Sequence, residues 1–152
     1  MKVRYCLIAA ALCAVAAILP QVWPRNANTL RDGYYSAEAS EFDSYGWKEF
    51  VTIYVRGGRI ITVEYNAYNA SGFIKSWDMN YMRVMNAQSN SYPNKYTRAY
   101  AADLLETQRP NEVDVITGAT TSGHSFRRLS ALAIARAKAG DTSVAFIKLS
   151  EE

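Results

Sequence analysis

The sequence predicts an α+β domain with a mainly antiparallel sheet and packed helices. Three observations predict it: strand-like runs crowd residues 32–65, helical periodicity dominates 76–139, and one apolar run returns near the end. Alternating βα units are absent, which argues against a Rossmann or flavodoxin-like arrangement. No internal repeat or low-complexity stretch interrupts the pattern.

Taken in order, Asp32-Gly33 opens a run with two-residue alternation, Tyr34, Ser36 and Glu38 on one side and Tyr35, Ala37 and Ala39 on the other. Ser44-Tyr45-Gly46 turns the chain. Phe50 to Arg56 and Arg59 to Tyr65 are β-branched and aromatic runs joined by Gly57-Gly58, a strong hairpin signal. Ile60-Ile61 breaks the alternation and suggests a stretch buried on both faces. Asn66 to Gly72 reads as a loop. Ser76-Trp77-Asp78 has N-cap character ahead of a helix that puts Tyr81, Met82 and Met85 on one stripe. Tyr92-Pro93-Asn94 starts a second helix, with Tyr96, Tyr100, Ala101, Leu104 and Leu105 at helical spacing, which Gln108-Arg109-Pro110 stops. Val113 to Thr117 reads as a short strand. From Ser122 to Ala139, Phe126, Leu129, Leu132, Ala133, Ile134 and Ala137 form an amphipathic pattern that Gly140 ends. Val144 to Leu149 is the closing strand.

At 152 residues, 49% hydrophobic and 20% charged, the chain has room for one globular domain and is neither disordered nor a multi-span membrane protein. Of its 17 basic side chains, Lys2 and Arg4 lie in an N-terminal segment without acidic residues, leaving 15 against 14 acidic ones. That balance gives nucleic acid no electrostatic claim. The basic start, the uncharged run Cys6 to Leu19, and then Pro20-Gln21 read as a signal peptide or uncleaved membrane anchor over residues 1–24. Residues 25–31 form a linker and 32–150 the domain. The domain is thereby expected at the extracytoplasmic face of the cell membrane, or secreted or periplasmic if the signal is cleaved. Both cysteines, Cys6 and Cys13, fall in the leader, which removes thiolate metal sites and cysteine nucleophiles from the domain. Leu12 before Cys13 is a poor setting for a lipid-modified cysteine.

The segment Asp114-Val115-Ile116-Thr117-Gly118-Ala119-Thr120-Thr121-Ser122-Gly123-His124 carries the chemistry. Gly118 and Gly123 let backbone approach a ligand closely. Thr117, Thr120, Thr121 and Ser122 crowd hydroxyls at a helix start, where free N–H groups and the dipole favour an anion. An N-cap at Thr121 or Ser122 after a glycine turn is the bland alternative.

The order Asp-x-x-Thr-Gly-Ala-Thr resembles the flavinylation motif of the FMN-binding domain family, which includes subunits of the sodium-pumping NADH:quinone reductase and of Rnf-type complexes. Asp32-Gly33-Tyr34, the hairpin around Gly57-Gly58, and Gly72 to Asp78 with Tyr81-Met82 extend the similarity, the last two segments resembling small membrane-anchored lipoprotein antigens with this domain. The resemblance implies FMN esterified through its phosphate to Thr120 by a flavin transferase, with Asp114 as the motif's leading acid and Gly118-Ala119 as the small pair beside the phosphate. Thr117 stands where serine is commoner.

An electron carrier follows from the resemblance, exchanging electrons with a membrane redox complex or other donor and acceptor, and tethered to the membrane by the N-terminal segment. Trp77 and Phe73 are the aromatic platform expected for the flavin ring, ahead of Tyr34, Tyr35, Trp47 and Tyr81. His124 reads as an exposed or phosphate-side helix residue, and Arg127-Arg128 as a solvated helix face. Lys75 reads as a surface lysine, the alternative being a pairing with phosphate or with the flavin's pyrimidine carbonyls. Two other functions compete: a module of a reductase or flavin scavenger that holds FMN non-covalently, and a non-redox surface protein that has kept the fold.

Overall fold

The computed structural model describes residues 29–149. The signal or anchor segment, both cysteines and the first part of the linker lie outside them. The fold is α+β. Strands β1 (Gly33–Ala39), β2 (Lys48–Arg56), β3 (Arg59–Tyr68) and β4 (Ala145–Ile147) form one sheet in the order β3-β2-β1-β4. The first three pair antiparallel, and β4 joins β1 in parallel. Helices α1 (Met79–Ser89), α2 (Pro93–Thr107) and α3 (Thr120–Ala139) follow the hairpins.

The alternation seen in β1 is the sheet's two-sidedness. Tyr35, Ala37 and Ala39 are buried, while Tyr34 stacks on Tyr54 with centroids 4.4 Å apart on the outer face. α3 packs across β1 and β2, and α2 packs on β3. Phe126, Leu129, Ala133 and Ala137 from α3, and Tyr96, Tyr100 and Leu104 from α2, close the core over Val51, Ile53, Val55 and Tyr65. Tyr65, Tyr100 and Phe126 form its aromatic centre, with Phe126 centroids 4.9 and 5.6 Å from the two tyrosines.

Four local expectations are corrected. Ile60-Ile61 is not buried on both faces: the register shifts beside Tyr54/Val55, so Ile60 is buried while Ile61 is 46% exposed as the extra residue of a bulge. The amide of Gln108, whose own backbone is left-handed at φ 60°, completes that edge: it accepts from the Ile60 N–H at 2.9 Å and donates to the Ile60 carbonyl at 3.0 Å. The expected loop from Asn66 starts only at Asn69, because Ala67 still pairs with Glu49 and is buried.

Val113 to Thr117 is not a strand. Side chains take the backbone groups that a ladder would use: Arg127 Nε donates to the Val113 carbonyl at 2.8 Å, the Asp114 N–H to Asp103 Oδ2 at 2.7 Å, and the Ile116 N–H to Tyr100 Oη at 3.1 Å. α3 begins two residues before the expected Ser122, at Thr120. Phe126→Ala removes a fully buried ring from the aromatic centre and is expected to destabilise the domain by about 3–5 kcal/mol, read as a lowered urea midpoint with an unchanged slope.

Candidate functional site

A cleft of about 520 Å³ opens at the end of the sheet where β1 finishes and β2 begins, a size suited to a small-molecule ligand. The turn after β1 forms one side. Asp43 Oδ1 accepts from the N–H groups of Tyr45 and Trp47 at 2.9 and 2.7 Å, which fixes the buried Trp47 at the cleft wall. α1 forms the facing wall. Asp78 caps it by accepting from the Tyr81 N–H at 2.9 Å, and Tyr81 meets Trp47 edge-on with centroids 5.9 Å apart.

The start of α3 forms the third side, contributing Gly118, Ala119, Thr120, Thr121 and Ser122. Gly118, at φ 81°, turns the chain, and the N-cap is Ala119, which offers no side-chain acceptor. A Thr121 or Ser122 N-cap is thereby excluded. The first amides of this helix have no intrahelical acceptors and no capping oxygen, so the N-terminal dipole end faces the cleft with its anion preference unspent. Thr120 is exposed at the rim.

Five charged residues line this cleft, Glu41, Asp43, Glu49, Lys75 and Lys148, and sequence reasoning missed the weight of two of them, Glu49 and Lys75. Glu49 on β2 is half-buried beside Tyr65, whose hydroxyl lies 2.8 Å from Glu49 Oε1 and 2.8 Å from the Ser122 carbonyl. The Tyr65 hydroxyl is thus shared between the two acceptors. Burial raises the Glu49 pKa above its ordinary 4.5, against the opposing effects of Ser125, Lys75, Tyr65 and Ser122. Tyr65 is pushed well above the usual phenol range, first by burial and then by the Glu49 charge.

Lys75 is no surface lysine: it is 6% exposed and lines the same cleft. The 3-10 turn Lys75–Trp77 is pinned to β3 by Asn66, whose Nδ2 donates to Ser76 Oγ at 2.9 Å, and this carries Lys75 inward. Its ammonium lies 5.8 Å from the Trp47 ring centroid and 5.1 Å from that of Tyr81. Burial lowers its pKa, and the charges of Glu49 and Asp43 pull it back up. The only available signals for the two residues were a polar residue at an inward strand position and a lysine beside glycine and tryptophan.

No family model matches the sequence. Over 114 residues the chain is 40% identical to the 15 kDa lipoprotein of Treponema pallidum (strain Nichols), an overlap that covers 75% of this chain and 81% of that protein. The chain belongs to that lipoprotein's family. Among solved structures, the CPE2226 protein from Clostridium perfringens superimposes with a TM-score of 0.77 at 32% identity, over 80% of this chain and 99% of that one. The α+β fold is therefore shared with an experimentally determined relative.

Of the residues expected at the site, Gly118, Ala119, Thr120, Thr121 and Ser122 line the cleft and the others do not. Asp114 and Thr117 are exposed on the preceding turn and do not line it. Phe73 and Trp77 pair edge-on at 6.4 Å, 43% and 66% exposed, outside the cleft. The 3-10 turn that sends Lys75 in sends Trp77 out, and Trp47 and Tyr81 supply the aromatic walls instead. His124 is exposed, as expected.

The glycines also serve a different purpose from the one expected. A Cβ on Gly118 would stand 2.3 Å from the Ser89 carbonyl oxygen, and one on Gly123 2.7 Å from Tyr100 Oη. Both permit close packing of protein on protein. Gly118→Ala combines that clash with a left-handed backbone and is expected to destabilise by at least about 1–3 kcal/mol, measured by thermal melting.

For Glu49, a raised folded pKa means stability that is full below 4.5 and is lost as pH rises through the folded value. Glu49→Gln keeps the neutral shape. Its stability relative to the wild type is expected to grow as pH rises above 4.5, read from urea midpoints across a pH series.

Proposed function

We propose that this protein is an extracytoplasmic flavoprotein, tethered to the membrane through its N-terminal segment, that carries FMN as a phosphoester on Thr120 and passes electrons at the membrane surface. The observation that carries this reading is the uncapped start of α3, with the exposed Thr120 at the rim of a cleft walled by Trp47 and Tyr81. The residues present fit the cofactor. The first amides of α3 suit a dianionic phosphate ester, and the aromatic walls suit a planar ring.

Attachment needs only the Thr120 hydroxyl from this chain. Its oxygen bonds to the FMN-side phosphorus of FAD, the phosphoanhydride bond breaks, AMP leaves, and the hydroxyl proton passes to the transferase or solvent. Once bound, FMN supplies reversible electron acceptance. The protein supplies the tether, the walls that orient the ring, and the charges that tune it.

A family member named a lipoprotein supports the membrane-bound setting. The sheet also suits a tether. The chain enters the domain at Thr29, which packs by the Gly57-Gly58 hairpin, whereas the cleft lies beyond Ala39 at the other end of β1. Seven strand residues separate the two ends by roughly 20 Å. A tether of this kind holds the cleft away from the anchor and open to a soluble partner.

The test is the intact mass of the denatured protein after co-expression with a flavin transferase. The wild type is expected to gain FMN minus water on the peptide containing Thr120, and Thr120→Ser to retain part of it. Thr120→Ala is expected to carry none while melting like the wild type. Adduct persisting in Thr120→Ala would move the attachment to Thr117 or Thr121.

A further inference from the structure

The buried ammonium of Lys75 is the least explained group in the domain. Lysines are almost never this buried without a partner. Yet Lys75 Nζ has no hydrogen bond or ion pair among the described residues, only the ring faces of Trp47 and Tyr81. Glu49 and Asp43 act on it from longer range. Neither carboxylate stands within ion-pair distance, so the ammonium has no direct counter-ion among the described residues. Such a side chain destabilises the ligand-free fold unless something entering the cleft completes it.

We infer that Lys75 is the cleft's recognition group for an electron-rich carbonyl edge of a planar heteroaromatic ring seated against Trp47 and Tyr81. This rests on the flavin reading, and on that reading the edge is the pyrimidine side of the isoalloxazine. A phosphate esterified to the exposed Thr120 has the first amides of α3 as its partners, whereas Lys75 is buried with its ammonium over the rings of Trp47 and Tyr81.

The role is positioning and electrostatic tuning. Reduction of the ring by a two-electron donor, with uptake of one proton from water, leaves one net negative charge on the pyrimidine side. A nearby ammonium stabilises that form more than the neutral oxidised one. Lys75 therefore raises the midpoint potential and holds the ring against its quenching aromatic neighbours.

The experiment compares wild type and Lys75→Met, each co-expressed with a flavin transferase and titrated with dithionite at equal adduct occupancy measured by mass. Lys75→Met is expected to shift the potential to more negative values. The preference for the reduced ring falls on the order of tenfold to a hundredfold, as for loss of a charge-assisted hydrogen bond. The flavin fluorescence is expected to brighten as the ring leaves Trp47 and Tyr81.

The ligand-free Lys75→Met protein is expected to melt at a higher temperature than the ligand-free wild type, since an unpaired buried charge has been removed. Unchanged potential and fluorescence at equal occupancy would overturn the inference, as would a ligand-free variant that melts lower, which marks a structural lysine. A wild-type protein without adduct fails earlier, on the mass, and sinks the flavin reading itself.

Discussion

Two tyrosine hydroxyls fix where α3 begins, and the cleft exists because of where it begins. From α2, Tyr100 Oη donates to the Ala119 carbonyl at 2.9 Å and accepts from the Ile116 N–H at 3.1 Å, bracketing the turn that contains Gly118. From β3, Tyr65 Oη reaches the Ser122 carbonyl one turn later. The rings of both tyrosines belong to the aromatic centre with Phe126. The apolar core and the polar helix start are thus anchored by the same side chains, one end of each ring in the core and the other on the backbone. The missing Cβ atoms of Gly118 and Gly123 let this bracket close. Helix α3 can then dispense with a capping side chain, because tertiary hydroxyls hold its first turn in place.

How much of this was legible in the sequence depended on whether the cause was local. The β1 alternation, the Gly57-Gly58 hairpin and the apolar stripe of α3 are written in neighbouring residues, and the structure has them. The bulge at Ile61, the loss of a strand at Val113 to Thr117 and the early start of α3 are imposed by Gln108, Arg127, Asp103 and Tyr100. These partners come from distant sequence positions, and no periodicity reports them. The site divides in the same way. The hydroxyl cluster at Thr120 to Ser122 is contiguous and was readable. The rest of the cleft draws together Trp47, Glu49, Lys75 and Tyr81, four residues whose meeting is a property of the topology alone.

Trp77 shows why residue type misleads where orientation decides. It and Lys75 sit two residues apart in one 3-10 turn, and a turn of three residues per cycle cannot send both side chains the same way. Asn66 ties Ser76 to β3, which settles the choice: the ammonium goes in and the indole goes out. Chemical intuition ranks them in the opposite order, since tryptophan has the stronger drive for burial. A fold that accepts an exposed indole and a buried, unpaired ammonium two residues apart is spending stability on the cleft.

That expenditure is consistent with a tethered ligand more than with a free one. A non-covalent site must supply its whole affinity from contacts, and an uncompensated charge in the empty state is then recovered only at ligand concentrations near the dissociation constant. A phosphoester at Thr120, as proposed, would make docking intramolecular, with an effective concentration set by the reach of the ribityl chain into the cleft. Under that condition the buried charge can be kept for its effect on the ring, because occupancy no longer depends on it. The proposed attachment at Thr120 and the proposed role of Lys75 thus support one another physically: the covalent link sets occupancy, and the unpaired ammonium sets what the occupied site does.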